Sequence, residues 1–233
     1  MEDDRGARRR IDRGQPRQRV VPGARHALAP AEIEAVWPLS PMQEGMLFST
    51  LYERESAAYF EQLAYRIHGD MDPARFERTW LALLARHANL RVSIWHSGVA
   101  RPMAVVRRQP TLSLHVEDWS ARADDAQRTA LEDYRRADRA RPFDLERDPL
   151  MRFGLFKLGE DRWSVVWSYP HLLLDGWSTG RLLEEFLDRY DEAPLPPVAP
   201  FSRYLDWLAA QDRGAALARW RERLDGYGDP ASI

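Results

Sequence analysis

The 233 residues carry 44% apolar and 30% charged side chains, a balance too apolar for a disordered chain and sufficient for one large domain, or one and a half, without metal or disulfide support. There is no cysteine, which excludes disulfide frameworks, thiol nucleophiles and thiolate metal sites. The net charge of −2 is unevenly divided: residues 1–26 hold Arg5, Arg8, Arg9, Arg10, Arg13, Arg17, Arg19 and Arg25 against Glu2, Asp3, Asp4 and Asp12, a net +4, so the rest carries −6 and argues against nucleic-acid binding through a basic face.

Residues 1–28 have no sustained apolar periodicity and are expected to form a disordered, Arg-rich arm, either a solvated tail or a docking element. The arm lacks the apolar run of a secretory signal, and no segment approaches the roughly 18 uninterrupted apolar residues of a membrane span. The expectation is a soluble cytoplasmic protein with neither membrane nor nucleic acid as a partner.

Order is expected from Ala29. Ser40 followed by Pro41, with Glu44 in the first turn, reads as an N-capped helix whose apolar face is Met42, Met46, Leu47 and Leu51. "AYFEQLAYRIHG" (58–69) is rich in aromatic and branched residues and reads as a strand. Asp72 and Pro73 open a helix in which Phe76, Trp80, Leu83 and Leu84 recur at helical spacing up to His87. "LRVSIWHSG" and "RPMAVVR" read as two strands turning at Ser97 and Gly98. "TLSLHVEDWS" alternates as a further strand, with Leu112, Leu114 and Val116 on one face. Residues 124–140 are polar but helix-forming, packed through Leu131 and Tyr134.

A proline-punctuated loop, "RPFDLERDPL", leads to "MRFGLFKL" and "RWSVVWSY". Gly159, Glu160 and Asp161 separate these two apolar runs, the pattern of a hairpin of interior strands. Ser178 can cap a helix through Tyr190 with Leu182, Leu183, Phe186 and Leu187 as its buried stripe. "DEAPLPPVAP" is an extended connector, and two helices follow it. The order of elements predicts an α/β fold with a mixed β-sheet flanked by helices.

The chemistry-bearing stretch is "SYPHLLLDGWS", residues 168–178. His171 is the first ionisable side chain where the last strand leaves the sheet, and its ordinary pKa near 6.5 suits proton transfer at neutral pH. A lone histidine at a strand end serves structure more often than catalysis. Asp175 and Gly176 add a turn, with Gly176 permitting a left-handed conformation and Asp175 bonding backbone amides or an arginine. A carboxylate with an ordinary pKa near 4 is a weak base toward an amine, so Asp175 is expected to brace the site.

"PHLLLDGWS" resembles the HHxxxDG motif of nonribosomal peptide synthetase condensation domains, whose fold is similar to chloramphenicol acetyltransferase. "WPLSPMQEGMLF" is similar to that family's first block, "RHANLRVSIW" to its RHxxLRTxF block, "PFDLERDPLMRFGLFKL" to the segment before the active-site strand, and "FSRYLDWLAAQDRGAALARWRERL" to the stretch after it. The five blocks stand in order over residues 37–224. The resemblance implies an N-terminal lobe over residues 29–190. Residues 191–233 would then be a Pro-rich connector and crossover helices leading toward a C-terminal lobe that the chain lacks, making it a partial or truncated domain, or half of a split enzyme.

The implied function is amide formation between a carrier-bound acyl or peptidyl thioester donor and a carrier-bound aminoacyl acceptor. The chain itself would bind no cofactor. Both substrates would arrive on the phosphopantetheine arms of donor and acceptor peptidyl carrier proteins, at His171 in a tunnel closed by a second condensation lobe. The resemblance makes His171 the catalytic residue, Asp175, Gly176 and Arg91 the structural support of the site, with Asp175 pairing with Arg91, and Pro170, Trp177 and Ser178 motif neighbours. Pro170 departs from the family, which has the first histidine of the motif there; proline stiffens the strand exit but cannot replace an imidazole. Val92 and Ile94 stand where the family has Thr and Phe. Pro170 and the missing lobe also motivate a noncatalytic module that docks carrier proteins or tailoring enzymes. An epimerisation lobe shares the histidine motif, and "PMQEGMLF" followed by "RHANLR" leans away from it.

Overall fold

The computed structural model describes residues 28–52 and 59–228. All but the last residue of the expected arm, and Ala58 at the head of the first expected strand, lie outside the described residues. In chain order the elements are β1 (Ile33–Pro38), α1 (Pro41–Tyr52), β2 (Phe60–His68), α2 (Pro73–Arg86), β3 (Val92–Trp95), β4 (Met103–Arg107), β5 (Ser113–Asp118), α3 (Asp124–Arg139), β6 (Arg152–Lys157), β7 (Arg162–Pro170), α4 (Gly176–Tyr190), α5 (Phe201–Ala209) and α6 (Arg213–Arg223).

The strands form two sheets where one was expected. The larger is mixed and runs β2-β7-β6-β5, with β5 parallel to β6 and the other pairs antiparallel. The smaller runs β1-β4-β3 and is antiparallel throughout. β6 and β7 are covered on both faces, which is why both read as continuous apolar runs.

The period of two along β7 sorts its side chains between two layers. Trp163, Val165, Trp167 and Tyr169 join Phe153 and Leu155 of β6 in the main core with Phe76, Trp80, Leu83 and Phe186 of α2 and α4. Trp80 is the hub, its ring centroid 4.6 Å from that of Phe153 and 5.0 Å from those of Trp167 and Phe186. On the other face Phe156 and Val166 pack with Trp119 and with Leu131 and Tyr134 of α3. Gly154 lies under the Tyr134 ring, where an added Cβ would come within 2.8 Å; burial there pushes the Tyr134 phenol up to about 12.

A charged cluster is sealed into the α3 face. Arg152 Nε donates to Asp138 Oδ1 at 2.9 Å, and Asp138 Oδ2 accepts from Ser168 Oγ at 2.6 Å and Gln62 Nε2 at 3.1 Å. Arg152 also donates to the carbonyls of Asp138 and Arg141, and its guanidinium lies 3.9 Å from the Phe143 ring centroid. Each buried charge is thus paired and hydrogen-bonded, the condition for tolerating it there.

Several local expectations change. β1 was not anticipated, although Ile33, Ala35 and Trp37 alternate with more exposed neighbours. Ser40 caps α1 as expected, through a reciprocal box with Gln43, but Met42 and Leu51 of its expected apolar face are exposed and only Leu47 is fully buried. Val116 and Leu187 also turn outward, Leu187 to 60% exposure. β3 is preceded by a 3₁₀ turn over Ala88–Arg91 rather than starting at Leu90. The connector 191–200 carries no regular element and is tied down where Arg86 donates to the Pro196 carbonyl. α5 returns to the small sheet, Phe201 lying 5.9 Å from Trp37, whereas α6 buries no residue.

Candidate active-site loop

β7 delivers the motif from the centre of the larger sheet. At its end Pro170 stands opposite Phe60 of β2, and one step on, the His171 N–H donates to the Tyr59 carbonyl at 2.8 Å. Hydrogen-bonded and non-bonded pairs alternate in an antiparallel ladder, so the Pro170 nitrogen faces away from β2. On that other side the pairing with β6 stops at Ser168 opposite Arg152. Proline therefore removes no ladder bond, which is why it is accommodated inside this sheet.

The loop that follows is held on three sides. Leu172, Leu173 and Leu174 are buried in the core. Gln43, already engaged in capping α1, donates from Nε2 to the Leu172 carbonyl at 3.3 Å. Thr179 Oγ1 donates to the Asp175 carbonyl at 2.8 Å, so its lone pair receives the Tyr169 hydroxyl at 2.9 Å. Burial raises the Tyr169 pKa and keeps that hydroxyl a donor.

His171 is half-buried, with Nδ1 2.9 Å from the Leu174 carbonyl. A carbonyl can only accept, so Nδ1 carries the proton and Nε2 of the neutral ring carries the lone pair. The Tyr59 ring lies beside the imidazole, 6.5 Å between centroids and 14° from parallel. The arrangement offers a base, or a hydrogen-bond acceptor, of fixed tautomer.

Asp175 is the N-cap of α4, its Oδ1 accepting the Ser178 N–H at 2.7 Å. That amide, helped to a lesser degree by attraction to His171, holds the carboxyl below its ordinary value. What it holds is the start of α4. Three expectations are corrected here. The cap is Asp175 and not Ser178, because the carboxylate sits one turn ahead of the amides that need an acceptor. Gly176 has no positive φ; it is the first residue of α4, and a Cβ there would meet nothing within 4 Å. The implied Arg91–Asp175 pair is absent: Arg91 makes a two-pronged bond to Glu34 at 2.8 and 3.0 Å and donates to the carbonyls of Leu84 and Arg107. Arg91 thereby ties β1 to β4 and to α2, while Trp177 projects at 88% exposure.

The structure thus brings His171, Asp175, Gly176, Trp177 and Ser178 together at one strand-to-helix junction and leaves Arg91 elsewhere. Tyr59, Gln43, Tyr169 and Thr179 were missed. Gln43 carried a signal in the Ser-x-x-Gln capping pattern; Tyr59 reaches His171 across more than a hundred residues and left none. Among the described residues, no group of three His, Asp or Glu is placed to hold a metal, and no helix is long and apolar enough to cross a membrane.

A family model described as "Condensation domain" matches residues 33–233. One of the plipastatin synthase proteins of Bacillus subtilis (strain 168) is 38% identical over 202 residues, covering 84% of this chain and 8% of that protein. Bacitracin synthase 3 of Bacillus licheniformis is 35% identical over 208 residues, 87% of this chain and 3% of that one. Among solved structures, the starter condensation domain of rhizomide synthetase superposes with a TM-score of 0.70 at 20% identity, over 86% of this chain and 51% of that chain. The cyclization-docking bidomain of the EpoB synthetase from Sorangium cellulosum does so with a TM-score of 0.71 at 21% identity, over 94% and 43%. The chain spans a small fraction of these curated relatives and about half of the solved condensation domain. With the histidine motif at the expected strand end and the chloramphenicol acetyltransferase-like α/β lobe around it, the chain belongs to the condensation domain family of nonribosomal peptide synthetases.

Proposed function

We propose that this chain is the histidine-bearing lobe of a condensation domain that forms an amide between a carrier-bound acyl or peptidyl thioester and a carrier-bound amine. The observation that carries the reading is the Nδ1–H to Leu174 carbonyl bond, which leaves the Nε2 lone pair of His171 free. The amine nitrogen attacks the thioester carbonyl while Nε2 accepts its proton or orients it. The C–N bond forms, the C–S bond breaks, and the proton passes to the departing thiolate of the donor arm. Asp175 holds the α4 end in register below the imidazole and does not titrate at neutral pH. Donor and acceptor carrier proteins and a second lobe are the partners this chemistry requires.

His171→Ala, placed in a synthetase with the second lobe and loaded carriers, is expected to lower amide formation by about 100-fold or more, the range for losing a general base. Undiminished turnover in that variant would overturn the reading. The alternative that Pro170 motivates, a noncatalytic module that docks carrier proteins, predicts no turnover in the wild-type assembly, and wild-type turnover counts against it.

A further inference from the structure

We propose that Tyr59 is a positioning residue for the His171 imidazole, its ring setting the plane in which Nε2 points. The inference rests on the reading of His171 as the reacting base. A single hydrogen bond at Nδ1 fixes one atom of the imidazole and leaves the ring free to swing about it; a flat surface alongside removes that freedom. Among the described residues, Tyr59 is the aromatic ring that lies nearly parallel to the imidazole.

Tyr59 is itself well placed to do this. Its carbonyl accepts the His171 N–H at 2.8 Å, and its ring lies 6.5 Å from the imidazole, centroid to centroid. The next residue, Phe60, is anchored on the opposite face, its ring 5.6 Å from that of Phe143 and 5.6 Å from the Arg152 guanidinium. Successive side chains of a strand point to opposite faces, so anchoring Phe60 toward α3 commits Tyr59 to the side of His171. Pro170 adds to the need for a flanking ring. It fixes its own backbone and provides no side-chain group to hold the imidazole.

The test uses this chain and the same chain within a complete synthetase. In the chain alone, 15N and 1H spectra of the histidine side chains are expected to show His171 protonated at Nδ1, with its ring protons shifted upfield by the Tyr59 ring. Tyr59→Phe keeps the shift and Tyr59→Leu removes it. In the synthetase, Tyr59→Phe retains kcat, whereas Tyr59→Leu lowers it between about 10- and 100-fold with KM for the loaded carriers unchanged, the size of effect that misplacing a reacting group produces. Unfolding curves establish that both variants fold. If the leucine variant does not fold, the absence of an upfield shift in the wild-type chain still overturns the proposal. So does a leucine variant with full kcat, or a phenylalanine variant that loses as much as the leucine one. A rate lost in His171→Ala but kept in Tyr59→Leu removes the positioning role alone; a rate kept in His171→Ala removes the catalytic reading and the positioning role with it.

Discussion

The clearest disagreement between family resemblance and structure concerns Arg91, and a double-mutant cycle decides it. The Arg91 side chain is 8% exposed and Glu34 is 39% exposed. An ion pair with so open a partner contributes at most about 1 kcal/mol, whereas charged hydrogen bonds to the Leu84 and Arg107 carbonyls contribute about 1.5 kcal/mol or more. Arg91→Met is therefore expected to cost about 2–3 kcal/mol. Asp175→Ala removes a solvent-facing cap and costs about 1 kcal/mol, and Asp175→Asn less, since the amide oxygen still accepts the Ser178 N–H. The two residues share no partner, so Arg91→Met with Asp175→Ala should cost the sum within about 0.5 kcal/mol.

Urea unfolding of the chain at neutral pH measures all four corners of the cycle. A coupling above about 1 kcal/mol would refute the assignment and restore a direct Arg91–Asp175 pair. The pH dependence has a definite sign. Because the Ser178 amide depresses the Asp175 pKa below its ordinary 3.8, the cap's charge-dependent contribution is complete above that value and is lost as pH falls through the lower folded value. The gap between wild type and Asp175→Ala should narrow in that acid window.

Asp138→Ala leaves Arg152, 7% exposed, buried without its counter-charge; the expected loss is about 3–5 kcal/mol in chemical denaturation, and a loss below about 1 kcal/mol would contradict the sealed cluster. Gly154→Ala drives a methyl into the Tyr134 ring and should cost about 1–3 kcal/mol, with part recovered when Tyr134 is shortened to leucine. Gln43→Ala removes half of the α1 capping box and the bond to the Leu172 carbonyl; a loss of roughly 1–2 kcal/mol is expected, with faster amide hydrogen exchange in the loop 171–175.

Much of the fold was readable where one element carries its own instructions. Asp72, Pro73 and the spacing of Phe76, Trp80, Leu83 and Leu84 define α2, whose Asp72 cap and buried stripe the structure reproduces. The hairpin of β6 and β7 follows from two apolar runs around Gly159. Leu187 shows the limit of the same reasoning: it sits at core spacing on α4, but which part of an apolar face meets the sheet depends on where the helix lands. β1 shows another limit, since a short half-exposed strand has little apolar contrast and becomes a strand by pairing with β4, nearly seventy residues on.

At the candidate site, the sequence by itself determined that a histidine leaves a buried strand through a leucine-anchored loop into a capped helix start. Those features depend on neighbours a few residues apart: the apolar run, the three leucines, and a helix start whose cap the sequence puts at Ser178 and the structure puts at Asp175. Only the tertiary structure decided which charges pair and what flanks the imidazole. Arg91 could reach an acceptor on any of several elements, and the geometry awarded it to Glu34 and two carbonyls. Tyr59 meets His171 because β2 and β7 pair in one register, and a shift of one residue would turn that ring to the opposite face.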